Sequence, residues 1–374
     1  MKIIYCINGT YNSGGMERVL MNKTNYLADV LNYEVLIITT EQKGRKNFFT
    51  FSPKIRFIDL EINYDDDINQ NLLWRILIKN KKKKKHKRLL TDILNQEKAN
   101  ICVSMFDRDA DFLYQIKDGS KKILEFHFSR YLKVIEAKSK LMKIIQKIRT
   151  YNWKRFASKY DAFVVLTEED KLAWGKMQNI HVINNPLNTI PKESSNLLKK
   201  RVISLGRLTY QKGFDLLIKA WEKVHASCPE WKLYIFGNGP EKESLLKQCS
   251  NLGLNDCISI NKATSKPEFE LLNSSLYIMS SRYEGLPMVL IEALSYGVPI
   301  VSFQCPCGPK DIIQNDFGSL IKSNDTEKLA DSIIGWIQDE NKRIIAGKNA
   351  KIAAQKFRID IIMNKWIKLF NSLN

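Results

Sequence analysis

Residues 275–303 read SLYIMSSRYEGLPMVLIEALSYGVPIVSF, and the rhythm of this stretch decides the fold. An apolar run of strand length (275–281) leads into a turn at Tyr283–Gly285. A mostly apolar helical stretch follows, and a second short strand run, PIVSF (299–303), closes the unit. Apolar runs bounded by turns and alternating with helices argue for parallel strands covered on both faces. Two acids, Glu284 and Glu292, stand inside this apolar unit eight positions apart. A buried carboxylate is costly unless something binds it. Either these are surface acids on an ordinary helix, or both face a ligand rich in hydroxyls. Pro287 suits the first helical position, which leaves the N–H groups of Met288, Val289 and Leu290 unpaired in the first turn. Glu292 is then one turn deeper, roughly 6 Å along the axis from Met288.

The same alternation runs through the chain. Strands are expected at 2–7, 34–40, 100–106, 121–126 and 162–167, and the series restarts at 201–208, 232–239, 257–262, 275–281 and 299–303. With 374 residues, two cores are the natural expectation. The seam is INNPLNTIPKESS (183–195), polar and with two prolines. The fold class is therefore α/β, with two Rossmann-like, doubly wound parallel-sheet domains. They are expected at 1–185 and 186–357, with the amphipathic terminal helix 358–374 crossing back to the first.

The net charge of +19 is uneven: residues 1–190 hold 34 Lys+Arg against 21 Asp+Glu. Two concentrations stand out, KNKKKKKHKR (79–88) and the segment 130–159, where ten basic residues face one acid, Glu136. Such fields attract nucleic acid, anionic lipid or phosphorylated ligands. The lysine run lacks interleaved aromatics and no recognition module accompanies it, which argues against nucleic acid. Seven scattered cysteines are no disulfide framework and point to a reducing compartment. The N-terminus is too briefly apolar for a signal peptide, and no run is long enough to span a bilayer.

Ligands of doubly wound sheets sit at the carboxyl ends of strands, so the turns there carry the chemistry. Gly14 and Gly15 open a helix after the first strand, where bare N–H groups suit phosphate. A glycine turn needed only for backbone geometry reads equally well. Arg207 and Lys212 follow the 201–208 strand, either as grips on an anion or as solvated cations. Gly237, Gly239 and Pro240 read as a structural turn. The acids of YDDD (64–67) read as a solvated loop rather than a metal site.

Together these motifs resemble the retaining glycosyltransferases of the GT-B fold, the group known as family 4. The resemblance rests on Glu284-x7-Glu292, Gly206-Arg207-Leu208 with Lys212-Gly213, the Gly14-Gly15 loop, Phe236–Pro240 and CPCGPKDII (305–313), in order along nearly the whole chain. It implies two domains facing a central cleft. It also implies a metal-independent hexosyltransferase without a cofactor. In that reading Arg207 and Lys212, with Gly14, Gly15, Met288 and Val289, hold the donor diphosphate. Glu284, Gly285 and His127 contact the donor sugar, Glu292 the ribose, and Asn261 and Lys262 the base. Arg18 is a further candidate at the diphosphate.

The donor is expected to be a UDP-linked hexose or N-acetylhexosamine, with GDP-mannose open. The acceptor is expected to be a lipid-linked or polysaccharide glycan of a bacterial surface, such as capsule, O-antigen or lipopolysaccharide. The enzyme would be cytoplasmic, peripheral on the inner face of the membrane. A soluble-acceptor enzyme of the sugar-phosphate synthase type is the alternative, and a basic nucleic-acid-binding protein a weaker one. Within 130–159, Leu141, Ile144, Ile145 and Ile148 recur at helical spacing, with Lys140, Lys143, Lys147 and Lys154 on a neighbouring stripe. The choice is between a core-facing helix with solvated lysines and an interfacial helix on anionic lipid or acceptor phosphates. The second is preferred, with Lys140, Lys143 and Lys147 facing acceptor and membrane.

Overall fold

The computed structural model describes residues 1–67, 72–137 and 139–373. The chain divides into two units, Met1–Pro186 with Ile359–Asn374, and Leu187–Arg358.

The first unit is built on seven strands: β1 (Lys2–Ile7), β2 (Glu34–Thr39), β3 (Arg56–Asp59), β4 (Ile101–Ser104), β5 (Lys121–Phe126), β6 (Ala162–Val165) and β7 (Ile180–Val182). They form one parallel sheet in the order β3-β2-β1-β4-β5-β6-β7. Side chains alternate between faces along each strand, and both faces are covered. Ile3, Tyr5 and Ile7 pack with Leu20 and Leu27 and with Ile362, Met363 and Trp366 of the Ile359–Leu373 helix. Ile4 and Cys6 share the opposite core with Leu90, Leu94 and Trp174. That two-sided burial is why β1 reads as an unbroken apolar run.

The second unit holds β8 (Arg201–Leu205), β9 (Lys232–Phe236), β10 (Ile258–Asn261), β11 (Leu276–Met279), β12 (Ile300–Phe303) and β13 (Gly318–Ile321). All are parallel, in the order β10-β9-β8-β11-β12-β13. Strand order reverses between β8 and β11. Chain connections leave that point in opposite directions, so a crevice opens outside the carboxyl ends. The corresponding point of the first unit lies between β1 and β4.

Local structure departs from expectation at Pro287 and in the YDDD segment. Pro287 is the cap of the Met288–Ser295 helix, in an extended conformation (φ −72°, ψ 96°), rather than its first residue. Its carbonyl accepts the Leu290 N–H at 3.0 Å, so Leu290 leaves the set of unpaired first-turn donors. The lysine run belongs to the helix Leu72–Glu97, anchored by buried His86, Leu90 and Leu94 at four-residue spacing. Burial holds the His86 imidazole down at about 4, and its Nδ1 lies 3.1 Å from the Tyr64 hydroxyl. The YDDD acids occupy a 3-10 turn, in which Asp65 pairs with Arg108 at 3.3 Å and Asp66 with Lys43.

The helix Lys140–Ala157 is capped by Ser139, whose Oγ accepts the Met142 N–H at 3.1 Å, and of its two readings the core-facing one does not hold. Its apolar stripe does not face a core. Leu141 is 69% exposed, Ile144 56%, Ile145 47% and Ile148 58%.

Candidate active site

The loops after β8 and β11 flank the reversal point of the second unit, and backbone contact fixes their spacing. Gly213 has φ +63°, a region glycine alone enters freely, and a Cβ there would stand 2.2 Å from the Ser280 carbonyl. Ser280 Oγ donates to the Lys212 carbonyl at 3.0 Å. The Arg282 N–H donates to the Gln211 carbonyl at 2.8 Å, and the Gln211 amide donates to the Tyr283 carbonyl at 3.1 Å. Arg282 grips Asp215 through two bonds of 2.9 and 2.6 Å and lies 4.0 Å from the Tyr210 ring centre. The sequence reading did not single out Gln211, Asp215 or Arg282. Their signal, a glutamine and an acid beside Lys212 and an arginine before Tyr283, is chemically ordinary until the loops meet.

This lacing brings Lys212 Nζ to 2.7 Å from Glu284 Oε1, with both side chains largely buried. Glu284 is 7% exposed, and its N–H donates to the Pro306 carbonyl at 3.2 Å, which ties the CPCGPKDII segment to the same turn. Beneath them the buried Tyr277 hydroxyl bonds the backbone of Leu205. Its proton is held well above the ordinary phenol range, first by burial, with the carboxylates of Glu292 and Glu284 adding to it. Both acids of the E-x7-E pair thus act on one point at the carboxyl end of the sheet.

Arg207 is exposed on the loop after β8, while Gly285, Met288, Val289 and Glu292 are half-buried. The Phe236–Pro240 turn is packed tightly, since a Cβ on Gly237 would lie 1.9 Å from the Gly206 carbonyl. Asn261 ends β10 and Lys262 follows it, at the sheet edge, on the far side of β9 from β8. Their loop is tied to the previous one by the Gly237 N–H to Asn261 carbonyl bond at 3.0 Å.

In the first unit, Gly14 caps the helix Gly15–Asn25 with φ −73°. Neither Gly14 nor Gly15 has positive φ, and a Cβ on Gly15 would meet nothing within 4 Å. Backbone geometry alone therefore does not demand this pair. His127 follows β5 and is 9% exposed. Its Nε2 lies 3.2 Å from Glu125 Oε1, off the direction of a formed hydrogen bond. Glu17, beside Gly14, is raised mainly by burial, while hydrogen bonds and His127 pull it back down. The glycine loop and the histidine therefore share one electrostatic neighbourhood. Lys140, Lys143 and Lys147 are exposed along the Lys140–Ala157 helix.

Two doubly wound parallel sheets of this kind define the GT-B class, and solved structures match across the chain. A structure of TarM of S. aureus has a TM-score of 0.80 over 99% of this chain and 98% of its own, at 18% identity. Residues 188–353 match the family Glycosyl transferases group 1. The amylovoran biosynthesis glycosyltransferase AmsD of Erwinia amylovora is 34% identical over 56% of this chain and 61% of its own length. A Campylobacter jejuni GalNAc-alpha-(1->4)-GalNAc-alpha-(1->3)-diNAcBac-PP-undecaprenol alpha-1,4-N-acetyl-D-galactosaminyltransferase is 27% identical over 99% of this chain and 98% of its own. The chain spans about three fifths of the length of the curated relatives it matches first.

Proposed function

We propose that this protein is a retaining glycosyltransferase that moves a hexose or N-acetylhexosamine from a nucleotide-sugar, UDP-linked by preference, to a lipid-linked glycan of a bacterial surface. The observation that carries the reading is the Lys212–Glu284 pair across the reversal point of the second sheet, with Arg207 on the same loop. As the bond from sugar C1 to the diphosphate oxygen breaks, negative charge grows on the diphosphate. Arg207 and Lys212 stabilise it where it develops, joined by the Met288 and Val289 N–H groups at a helix start. Glu284 accepts hydrogen bonds from donor hydroxyls, and Glu292 holds the ribose. The acceptor oxygen attacks C1 on the face the diphosphate leaves, passing its proton to the departing oxygen, so the anomeric configuration is kept. Positive charge from the protein itself takes the place of a metal ion at the diphosphate.

The exposed apolar stripe of the Lys140–Ala157 helix supports a membrane-facing first unit. Leu141, Ile144, Ile145 and Ile148 beside Lys140, Lys143 and Lys147 suit an interfacial helix that lies on anionic lipid. No helix among the described residues is long and apolar enough to cross a membrane, and in this reading the protein is held at the cytoplasmic face. Turnover assays distinguish the acceptor classes. Transfer to a polyprenyl-diphosphate-linked glycan in liposomes, with the product α-anomer read by NMR, is the expected result. Transfer to a free sugar phosphate instead would assign the soluble-acceptor reaction, and an inverted product would refute retention.

A further inference from the structure

One ionic group of the first unit has no place in the mechanism above. Lys23, in the helix that the Gly14–Gly15 loop opens, is 1% exposed, and its Nζ lies 2.5 Å from Glu125 Oε2, itself 1% exposed. The ammonium also sits 3.7 Å from the centre of the Trp366 ring and 5.2 Å from that of Tyr5. Glu125 interrupts the apolar second half of β5, and its other oxygen, Oε1, is the atom beside His127 Nε2. A carboxylate buried in a sheet face is costly and gains little stability over an apolar pair of the same size. A buried pair with one oxygen turned towards a histidine is therefore better explained by what it does to the ring.

We propose that Lys23 and Glu125 position His127: Lys23 holds the carboxylate ionised and fixed, and the negative charge of Glu125, 3.2 Å from Nε2, orients the ring and favours the tautomer with its proton on that nitrogen. Burial alone would raise Glu125, but Lys23 first, then His127, bring it down to about 2. With the proton on Nε2, Nδ1 is the ring nitrogen left to accept a hydrogen bond from a ligand. A histidine whose tautomer is set by a partner on its other nitrogen is a common arrangement at functional sites. Trp366 closes the ion pair from the C-terminal helix, so that helix is part of the support. This inference rests on the reading of His127 as a donor-sugar contact.

Removing one charge alone leaves its partner buried and unpaired, and such a variant would fail by unfolding. The test is therefore the double variant Lys23→Met/Glu125→Gln, which removes both charges at nearly constant volume. The chain has four histidines, so ¹⁵N-histidine NMR resolves His127 by comparison with His127→Ala. In the wild type the neutral ring should carry its proton on Nε2; in the double variant the ¹⁵N shifts should move towards a mixture of tautomers. Turnover, read as UDP released from the UDP-sugar, should fall in kcat by ~10-fold or more, the scale on which orienting partners act, with Kd for UDP unchanged. Wild-type ¹⁵N shifts in the double variant would overturn the proposal, as would wild-type kcat. Full turnover by His127→Ala would instead sink the donor-facing reading of the histidine, while the NMR comparison still decides whether Glu125 sets the ring.

Discussion

Arg207 and Lys212 carry the same charge and differ in surroundings, which makes their loss distinguishable. Arg207 is exposed, so Arg207→Ala should lose ~3 kcal/mol of transition-state stabilisation, about a hundredfold in rate, with stability changed by less than ~0.5 kcal/mol. Lys212 also balances a largely buried carboxylate, so Lys212→Ala should lower both turnover and the melting temperature. Steady-state kinetics beside thermal melts check both, and wild-type turnover in either folded variant removes it from the diphosphate grip. Glu284→Gln should slow transfer, because an amide accepts sugar hydroxyls less strongly than a carboxylate. Glu292→Ala should mainly weaken the nucleotide, UDP itself included; unchanged UDP affinity by calorimetry would end its ribose assignment. Glu284 and Glu292 were legible because their spacing and the turn residues between them mark both within one short segment. Lys23 and Glu125 were not, since their pairing joins residues 102 positions apart and each looks ordinary in its own segment.

Among the elements, the buried strands were legible because two-sided burial writes a continuous apolar run. Those that escaped are β3, β7 and β13. β3 and β7 are sheet edges, β3 carries exposed Arg56 and Phe57, and β7 is three residues long. One-sided or short strands lose the pattern that identifies them. The Lys140–Ala157 helix shows the complementary limit: periodicity reveals an apolar stripe but not whether protein or lipid covers it. Each lysine near an anionic surface adds about 1 kcal/mol, screened beyond ~10 Å at 0.1 M salt. Charge reversal at Lys140, Lys143 and Lys147 should therefore release the protein from anionic vesicles and leave UDP binding intact. Ile144→Ser with Ile148→Ser should weaken vesicle binding at low and high salt alike, because salt does not screen the apolar contribution. Equal sedimentation of wild type and both variants with anionic vesicles would refute the interfacial helix.

At the scale of the whole molecule, pH offers a probe of the first unit. Asp109, 2% exposed in the loop after β4, is pushed up from 3.8 to about 7 chiefly by burial. An acid raised in the folded state binds its proton more tightly there than when unfolded. Its contribution is therefore full below the unfolded value and is lost as pH rises to the folded one. His86, lowered from 6.5 to about 4 by burial, acts oppositely: its contribution is full above the unfolded value and is lost as pH falls to the folded one. The two slopes oppose each other across most of the same window. Asp107, pushed up to about 6 chiefly by burial, slopes the same way as Asp109, so Asp109→Asn should remove only part of the falling slope, and stability should gain more between about pH 4 and 7 than in the wild type. The difference between the two proteins should change across that window by up to ~4 kcal/mol, for a shift of about three units. Unchanged pH dependence of chemical denaturation in this variant would contradict an Asp109 carboxyl raised by burial.

In the proposed reading the second unit holds a nucleotide diphosphate with its own cations. Binding to the folded state alone raises the melting temperature by mass action, so thermal melts across UDP- and GDP-sugars in EDTA test it most directly. A UDP-sugar should raise the melting temperature in EDTA, plain UDP should do so too, and Arg207→Ala should remove most of the rise. No shift with any nucleotide, or a shift that appears only when Mn²⁺ is restored, would contradict it.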